Sequence, residues 1–355
     1  MHQRCATTQP NLEETIIATL QKRRAVLGAI ATAPLWSGAF VTRARAAEFV
    51  FKVAHPLAAN HPTNVRLKEA ADLIAKDSDG RIELRIFPNN QLGGEVDLLN
   101  QVRSGAVEMY VIGGLVVSSV VPMAALDGTG FAFKDYGSVW PAVDGKLGAH
   151  IRQSLMQAGL YAPEKVWDLG FREITSSVRP IKNVDDIAGM KIRVPGAAAY
   201  ADLFKALGAA PTSIQFGEVY PALQTKIVDG QENPLGLIVT SKFFEVQKFC
   251  SMSNHIWQGN WVLINGRAWR GLPGNLQAIL EKRLNEAGLA QRKDLAGLEQ
   301  SYHDTMAKGG IAFNDVDANS FRAKLKAAGY YTDARRKFGD AAWKILEEAT
   351  GASLS

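Results

Sequence analysis

Two alternating apolar segments with a helical pattern between them constrain the fold more than anything else in the chain. "EFVFKVAHP" at 48–56 reads as an apolar strand. "GRIELRIFP" at 80–88 reads as a second, with Ile82, Leu84 and Ile86 on one face and Pro88 ending it. Between them Val65, Ala70, Leu73 and Ile74 fall at helical spacing after "NHPTN", where Thr63 or Asn64 would cap a helix. A strand–helix–strand opening of this kind favours an open, mainly parallel α/β sheet.

The same grammar continues downstream. "EVDLLNQVRSGAVEMYVIGG" at 95–114 predicts a helix stopped at Gly105 and a third strand ending at Gly113 and Gly114. New α/β material begins near Val166. It includes "MKIRVP" at 190–195, where Met190, Ile192 and Val194 alternate with Lys191 and Arg193 until Pro195 stops the ladder. From 274 to 308, Leu276, Ile279, Leu280 and Leu284 mark one long helix introduced by Pro273 and interrupted only by single glycines. No internal repeat is visible. At 355 residues and 47% hydrophobic, the chain has enough apolar material for two cored domains.

Charge excludes one class of partner. Residues 1–46 carry Arg4, Lys22, Arg23, Arg24, Arg43 and Arg45 against Glu13 and Glu14, which is four of the net +5. The remainder is close to neutral and has no basic stripe, so a nucleic-acid partner is not expected. Those 46 residues read as an export signal: "KRR" at 22–24, an uncharged run from Ala25 to Val41, and a small-x-small site at Ala44 and Ala46. Cleavage is expected before Ala47. Arg23 and Arg24 suit a twin-arginine signal and also an ordinary Sec signal, so both routes stay open. The mature chain keeps only Cys250, so no intrachain disulfide is expected.

Catalytic motifs are missing. The chain has no G-x-S-x-G elbow, H-E-x-x-H, C-x-x-C or P-loop, and "GTGFAF" at 128–133 lacks the third glycine of a dinucleotide fingerprint. Its six histidines are scattered, and His55 and His61 lack companions at zinc spacing, so neither a metal nor a cofactor is expected. An exported chain with these properties reads as a binder rather than an enzyme.

Four long motifs, in order, resemble the solute-binding proteins of tripartite ATP-independent periplasmic (TRAP) transporters, the DctP type. They are "FPNNQLGGEVDLLNQVRSGAVEM" at 87–109, "GMKIRVP" at 189–195, "LGAAPTSIQFGEVYPALQTKIVDGQENP" at 207–234 and "KFFEVQKFCSMSNHIW" at 242–257. The resemblance implies an α/β, two-lobed periplasmic binding protein fold with hinge strands and a long connecting helix. Its discontinuous lobes are expected at 47–170 with 259–298, and at 171–258 with 299–355. It also implies a periplasmic protein that holds an organic acid between the lobes and delivers it to the inner-membrane TRAP permease subunits.

Site residues follow from the matching motifs. Arg193, in the "R-V-P" motif, is implied to grip the ligand carboxylate, a role that suits a planar guanidinium with paired donors. Arg172 in "WDLGFREITSS" matches a second family arginine, Asn233 in "DGQENP" a polar ligand contact, and Phe216 in "IQFGEVY" an apolar wall. Three weaker candidates come from the first lobe and its edge: His55 at the end of the first strand, Glu95 after "QLGG", and Trp167 as either a stacking surface or a buried ring. Sialate-specific members place an acid where "YVIGGL" stands here, and Gly113 and Gly114 supply none. Sialic acid is therefore not expected, and two arginines, polar partners and a tryptophan favour a sugar acid such as a hexuronate. An aromatic acid or a C4-dicarboxylate is the alternative ligand. An exported enzyme acting on such acids and a sensory receptor adaptor are the alternatives of other classes.

Overall fold

The structure is a computed structural model that describes residues 46–354, so the expected export signal lies outside the described residues. Ten strands form one sheet: β1 (Phe49–Ala54), β2 (Ile82–Phe87), β3 (Met109–Gly113), β4 (Leu160–Tyr161), β5 (Trp167–Ser176), β6 (Lys191–Val194), β7 (Ala210–Ser213), β8 (Gly230–Asn233), β9 (Phe249–Asn265) and β10 (Ala312–Asp315). The main path runs β2-β1-β3-β9-β5-β8-β6-β7, with β4 and β10 paired to β9. At one end β2, β1 and β3 are parallel; at the other, β8, β6 and β7 are parallel. The βαβ opening is therefore present, but the middle of the sheet is antiparallel, through β3–β9, β5–β9 and β5–β8. The sheet is mixed rather than mainly parallel because β5 and β9 cross between the two parallel groups, a pairing that local periodicity does not encode.

β9 is 17 residues long and changes partners along its length: Phe249 to Asn260 pair with β5, and Asn260 to Ile264 pair with β3. Register shifts in β5 between Asp168 and Gly170, and between Arg172 and Ile174, bend the ladder where it crosses. Gly170 sits there at φ +118, in a region side chains avoid.

Local signals are largely met. The helix Glu95–Ser104 ends at Gly105 in the left-handed conformation (φ 86), as expected of a C-terminal glycine. At the helix Pro62–Asp77 the cap is different from the one expected: His61 takes the N-cap, its Nδ1 accepting from the Thr63 N–H at 3.2 Å, with Pro62 in the first turn. Thr63 and Asn64 lie inside the helix and are buried. No described helix is long and apolar enough to cross a membrane.

The long helix is continuous from Gly274 to Lys308 and packs on the helix Pro62–Asp77, on β5 and on the helix Leu235–Thr240. Two of its polar residues fix it to the start of β5. Gln291, fully buried, accepts from the Asp168 N–H at 2.9 Å and donates to the Asp168 carbonyl at 2.8 Å. Arg292 donates to the Val166 carbonyl, forms a two-pronged pair with Asp144 at 2.8 Å, and lies over the Trp140 ring at 3.9 Å. Beside them Gly288 lets the helix close onto Trp167, where an added Cβ would come within 2.8 Å of the indole nitrogen.

That contact reverses the usual helix preference. An interior Gly→Ala change normally gains about 1 kcal/mol. At Gly297 nothing lies within 4 Å of an added Cβ, so Gly297→Ala should raise the melting temperature. At Gly288 the new methyl overpacks a closed indole, and a net loss of about 1–3 kcal/mol is expected in thermal melts.

Candidate ligand-binding site

A cavity opens where strand ends from both parallel groups converge on β5 and β9. Its lining includes Pro56 and Leu57 after β1, Ile112 in β3, Arg172 in β5, Arg193 and Pro195 at the end of β6, Asn233 closing β8, and Gln258 and Asn260 in β9. Glu95, Tyr200, Phe216 and Leu237 complete the walls. The cavity is about 20 Å³, space for about one water molecule. A six-carbon acid enters only if the walls part.

Arg193 is fully buried although it alternates with Ile192 and Val194, because both faces of β6 are covered. Its Nε and Nη2 donate to one carbonyl, Ile214 O, at 2.8 and 2.6 Å, and its guanidinium carbon lies 5.9 Å from the Phe216 ring centre. Nη1 has no hydrogen-bond partner among the described residues. Burial pulls the Arg193 pKa down to about 10, against the attraction of Glu95 and Glu232, so the group stays charged at neutral pH. A buried, charged donor without an acceptor is unfavourable until an anion meets it.

Arg172 is equally buried but already committed. Its Nε and Nη2 clasp the Glu232 carboxylate, with Nη2 to Oε1 at 2.7 Å. Nη2 also donates to the Glu232 carbonyl at 2.6 Å and to Asn233 Oδ1 at 3.1 Å, and Nη1 donates to Gln258 Oε1. Burial opposes the Glu232 charge, yet Arg172 and His255 outweigh it and hold its pKa below the usual carboxylate value. Burial also opposes the Arg172 charge, and the Glu232 carboxylate more than offsets it. His255, whose pKa is lowered by burial, is neutral at pH 7; its Nε2 donates to Glu232 Oε2 at 3.0 Å and its Nδ1 accepts from Ser253 Oγ at 2.8 Å.

Of the residues singled out from sequence, Arg193, Arg172, Asn233, Phe216 and Glu95 line one cavity. His55 and Trp167 do not. His55 is buried one residue before the lining, its Nε2 3.1 Å from Asn64 Oδ1, and burial lowers its pKa to about 4. Trp167 belongs to the apolar cluster around β1, β2 and the long helix, wedged against Gly288 rather than turned to the cavity. Sequence reading missed Glu232, Tyr200, Gln258, Asn260 and His255. For Glu232 a signal existed, since two buried arginines require a nearby acid. Gly113 belongs to Gln258: its φ of −68 suits any residue, but an added Cβ would lie 2.2 Å from Gln258 Nε2.

Residues 53–332 match the family described as bacterial extracellular solute-binding protein, family 7, the DctP family. The chain belongs to this family. TRAP solute-binding proteins of this kind act in the periplasm, take small organic acids and work with the TRAP permease subunits. The 2,3-diketo-L-gulonate-binding periplasmic protein of Escherichia coli is 32% identical over 305 residues, 86% of this chain and 92% of the relative. The C4-dicarboxylate-binding periplasmic protein of Rhodobacter capsulatus is 31% identical over 309 residues, 82% of this chain and 91% of that one. A two-lobed TRAP solute-binding protein from Roseobacter denitrificans with bound L-galactonate superposes with a TM-score of 0.79 at 30% identity, covering 86% of this chain and 99% of that one. The sugar acid binding protein of Advenella mimigardefordensis in complex with galactonate gives a TM-score of 0.81 at 28% identity, covering 87% and 100%.

If the free Nη1 donor of Arg193 meets the ligand carboxylate, Arg193→Ala removes one partner of a buried charge pair. The expected loss is about 2–5 kcal/mol, or roughly 30-fold to several thousand-fold in Kd measured by calorimetry on the folded variant. Arg193→Lys keeps the charge without the fork and should weaken binding by a smaller factor.

Proposed function

We propose that this TRAP solute-binding protein captures a sugar acid, such as a hexuronate or the corresponding aldonate, and hands it unchanged to the permease. The observation that carries the reading is Arg193: a buried guanidinium whose Nη1 has no partner among the described residues, lining a cavity together with hydroxyl-compatible groups. Asn260 Nδ2 and Glu95 Oε2 are likewise buried without partners, one a donor and one an acceptor, which suits ligand hydroxyls. Relatives with bound galactonate and the diketogulonate-binding protein are in keeping with this class.

The proposal includes closure of two lobes, one of residues 47–170 with 259–298 and one of residues 171–258 with 299–355. The crossing points near Gly170 and Asn260, where β5 is bent and β9 changes partner, support those limits. A ligand that touches Arg193 from one lobe and Glu95 or Asn260 from the other shifts the open–closed balance toward closed.

A panel of organic acids tests the reading. Hexuronates and aldonates should stabilise the protein, by about 2.7 kcal/mol at a hundredfold excess over Kd. The same acids should shrink the radius of gyration and be recovered chemically intact. Stabilisation only by aromatic acids, or any turnover, would overturn it.

A further inference from the structure

We propose that Glu95 takes up one proton from solvent as the ligand carboxylate docks, and that this makes the site selective for monoanions over dianions. The inference rests on the reading of the cavity as an organic-acid site.

The geometry comes first. Four ionisable side chains of opposite sign meet here: Arg172, Glu232, Arg193 and Glu95. Arg172 and Glu232 satisfy each other through paired hydrogen bonds. Arg193 and Glu95 are left facing the same cavity, each buried and each with one polar atom, Nη1 and Oε2, that no described residue meets. Glu95 begins the helix Glu95–Ser104, and its N–H donates to Gln215 Oε1 at 3.4 Å. The charged and titratable groups that act on it or feel it are Arg193 from β6, Arg172 from β5, Tyr110 from β3 and Tyr200 from the helix Ala198–Ala206; Asp97 shares its helix's first turn.

An arriving carboxylate changes the balance at Glu95. Before binding, burial favours the protonated form of Glu95 while Arg193 and then Arg172 favour the charged form, and burial is the larger influence. A carboxylate on Arg193 Nη1 shares that guanidinium and places a like charge in the same small cavity, and both effects disfavour ionised Glu95. Wherever Glu95 is ionised in the free site, a proton enters with the anion and the charge of the cavity is unchanged. The protonated carboxyl gains an O–H donor, which a ligand hydroxyl can accept.

A second ligand carboxylate finds no equivalent relief. Arg172 is held by Glu232, and Tyr110 and Tyr200, with pKa values raised by burial, carry no charge to lose. His255 is turned to Glu232 and Ser253 and does not line the cavity.

D-galactonate and galactarate share a carbon chain and differ by one terminal carboxylate, so they isolate the effect. Calorimetry of each, and of D-galacturonate, in phosphate and in Tris at several pH values reads proton uptake directly. The expected result is up to one proton taken up with galactonate or galacturonate. Affinity should fall by up to about tenfold per pH unit between the Glu95 titration of the free protein and that of the complex, and level off on either side. Galactarate should bind at least tenfold more weakly than galactonate. In Glu95→Gln the proton uptake and the pH slope should vanish, whatever happens to affinity, with folding checked by circular dichroism. Binding with heats independent of buffer, or proton uptake that survives in Glu95→Gln, would overturn the proposal and leave the sugar-acid reading standing. No binding of either monoanion would overturn both.

Discussion

Burying two guanidinium groups in one cavity is the constraint to which the rest of the site answers. Like charges so close in a low-dielectric interior repel strongly, and neither is tolerated without compensation. Glu232 supplies it for Arg172; Gln258 and His255 bond to the pair, and Tyr200 and Ser253 in turn bond to Gln258 and His255. With Arg172 neutralised, Arg193 is the arginine of the two whose Nη1 meets no described residue. The two positive side chains thus differ: one is closed by an internal acid, and the other keeps a donor open to the cavity.

The sheet explains how such a cluster is held. β5 and β9 pass between the parallel groups and carry Arg172, Gln258 and Asn260, while strand ends from either side bring Ile112, Arg193 and Asn233 to the same place. Placement at strand C-termini is the general location of ligands in open α/β sheets. Gln291 and Arg292 of the long helix fasten the start of β5 a few residues from Arg172. Under the proposed closure, a firm anchor and bends at the crossing strands belong together, because a closing site needs fixed walls joined by few deformable points.

Much of this was legible in the sequence, for physical reasons that also mark the limits. Strand, helix and glycine-stop patterns are local, so the βαβ opening, Gly105 and the helix from 274 to 308 could be read directly. The antiparallel centre is a long-range pairing and was not. Arg193 stood out because a strand-end arginine before Pro195 needs a partner, and the family motif assigned its role. His55 stops one residue short of the lining, since the chain turns at Pro56 and it is Pro56 and Leu57 that reach the cavity. Trp167 left two readings, a sugar platform or a buried ring, because the residue against it, Gly288, is remote in sequence. Glu232 was passed over beside Asn233, although the charge of Arg172 demanded an acid.

In the proposed complex Arg193 receives the carboxylate while Arg172 stays on Glu232. A crystal structure of the protein with D-galactonate tests this most directly. The expected result is a carboxylate oxygen about 2.7–2.9 Å from Arg193 Nη1, with the Arg172–Glu232 pair intact and the walls closed around the sugar chain. A carboxylate resting on Arg172, with Glu232 displaced and Arg193 Nη1 still unmet, would contradict it.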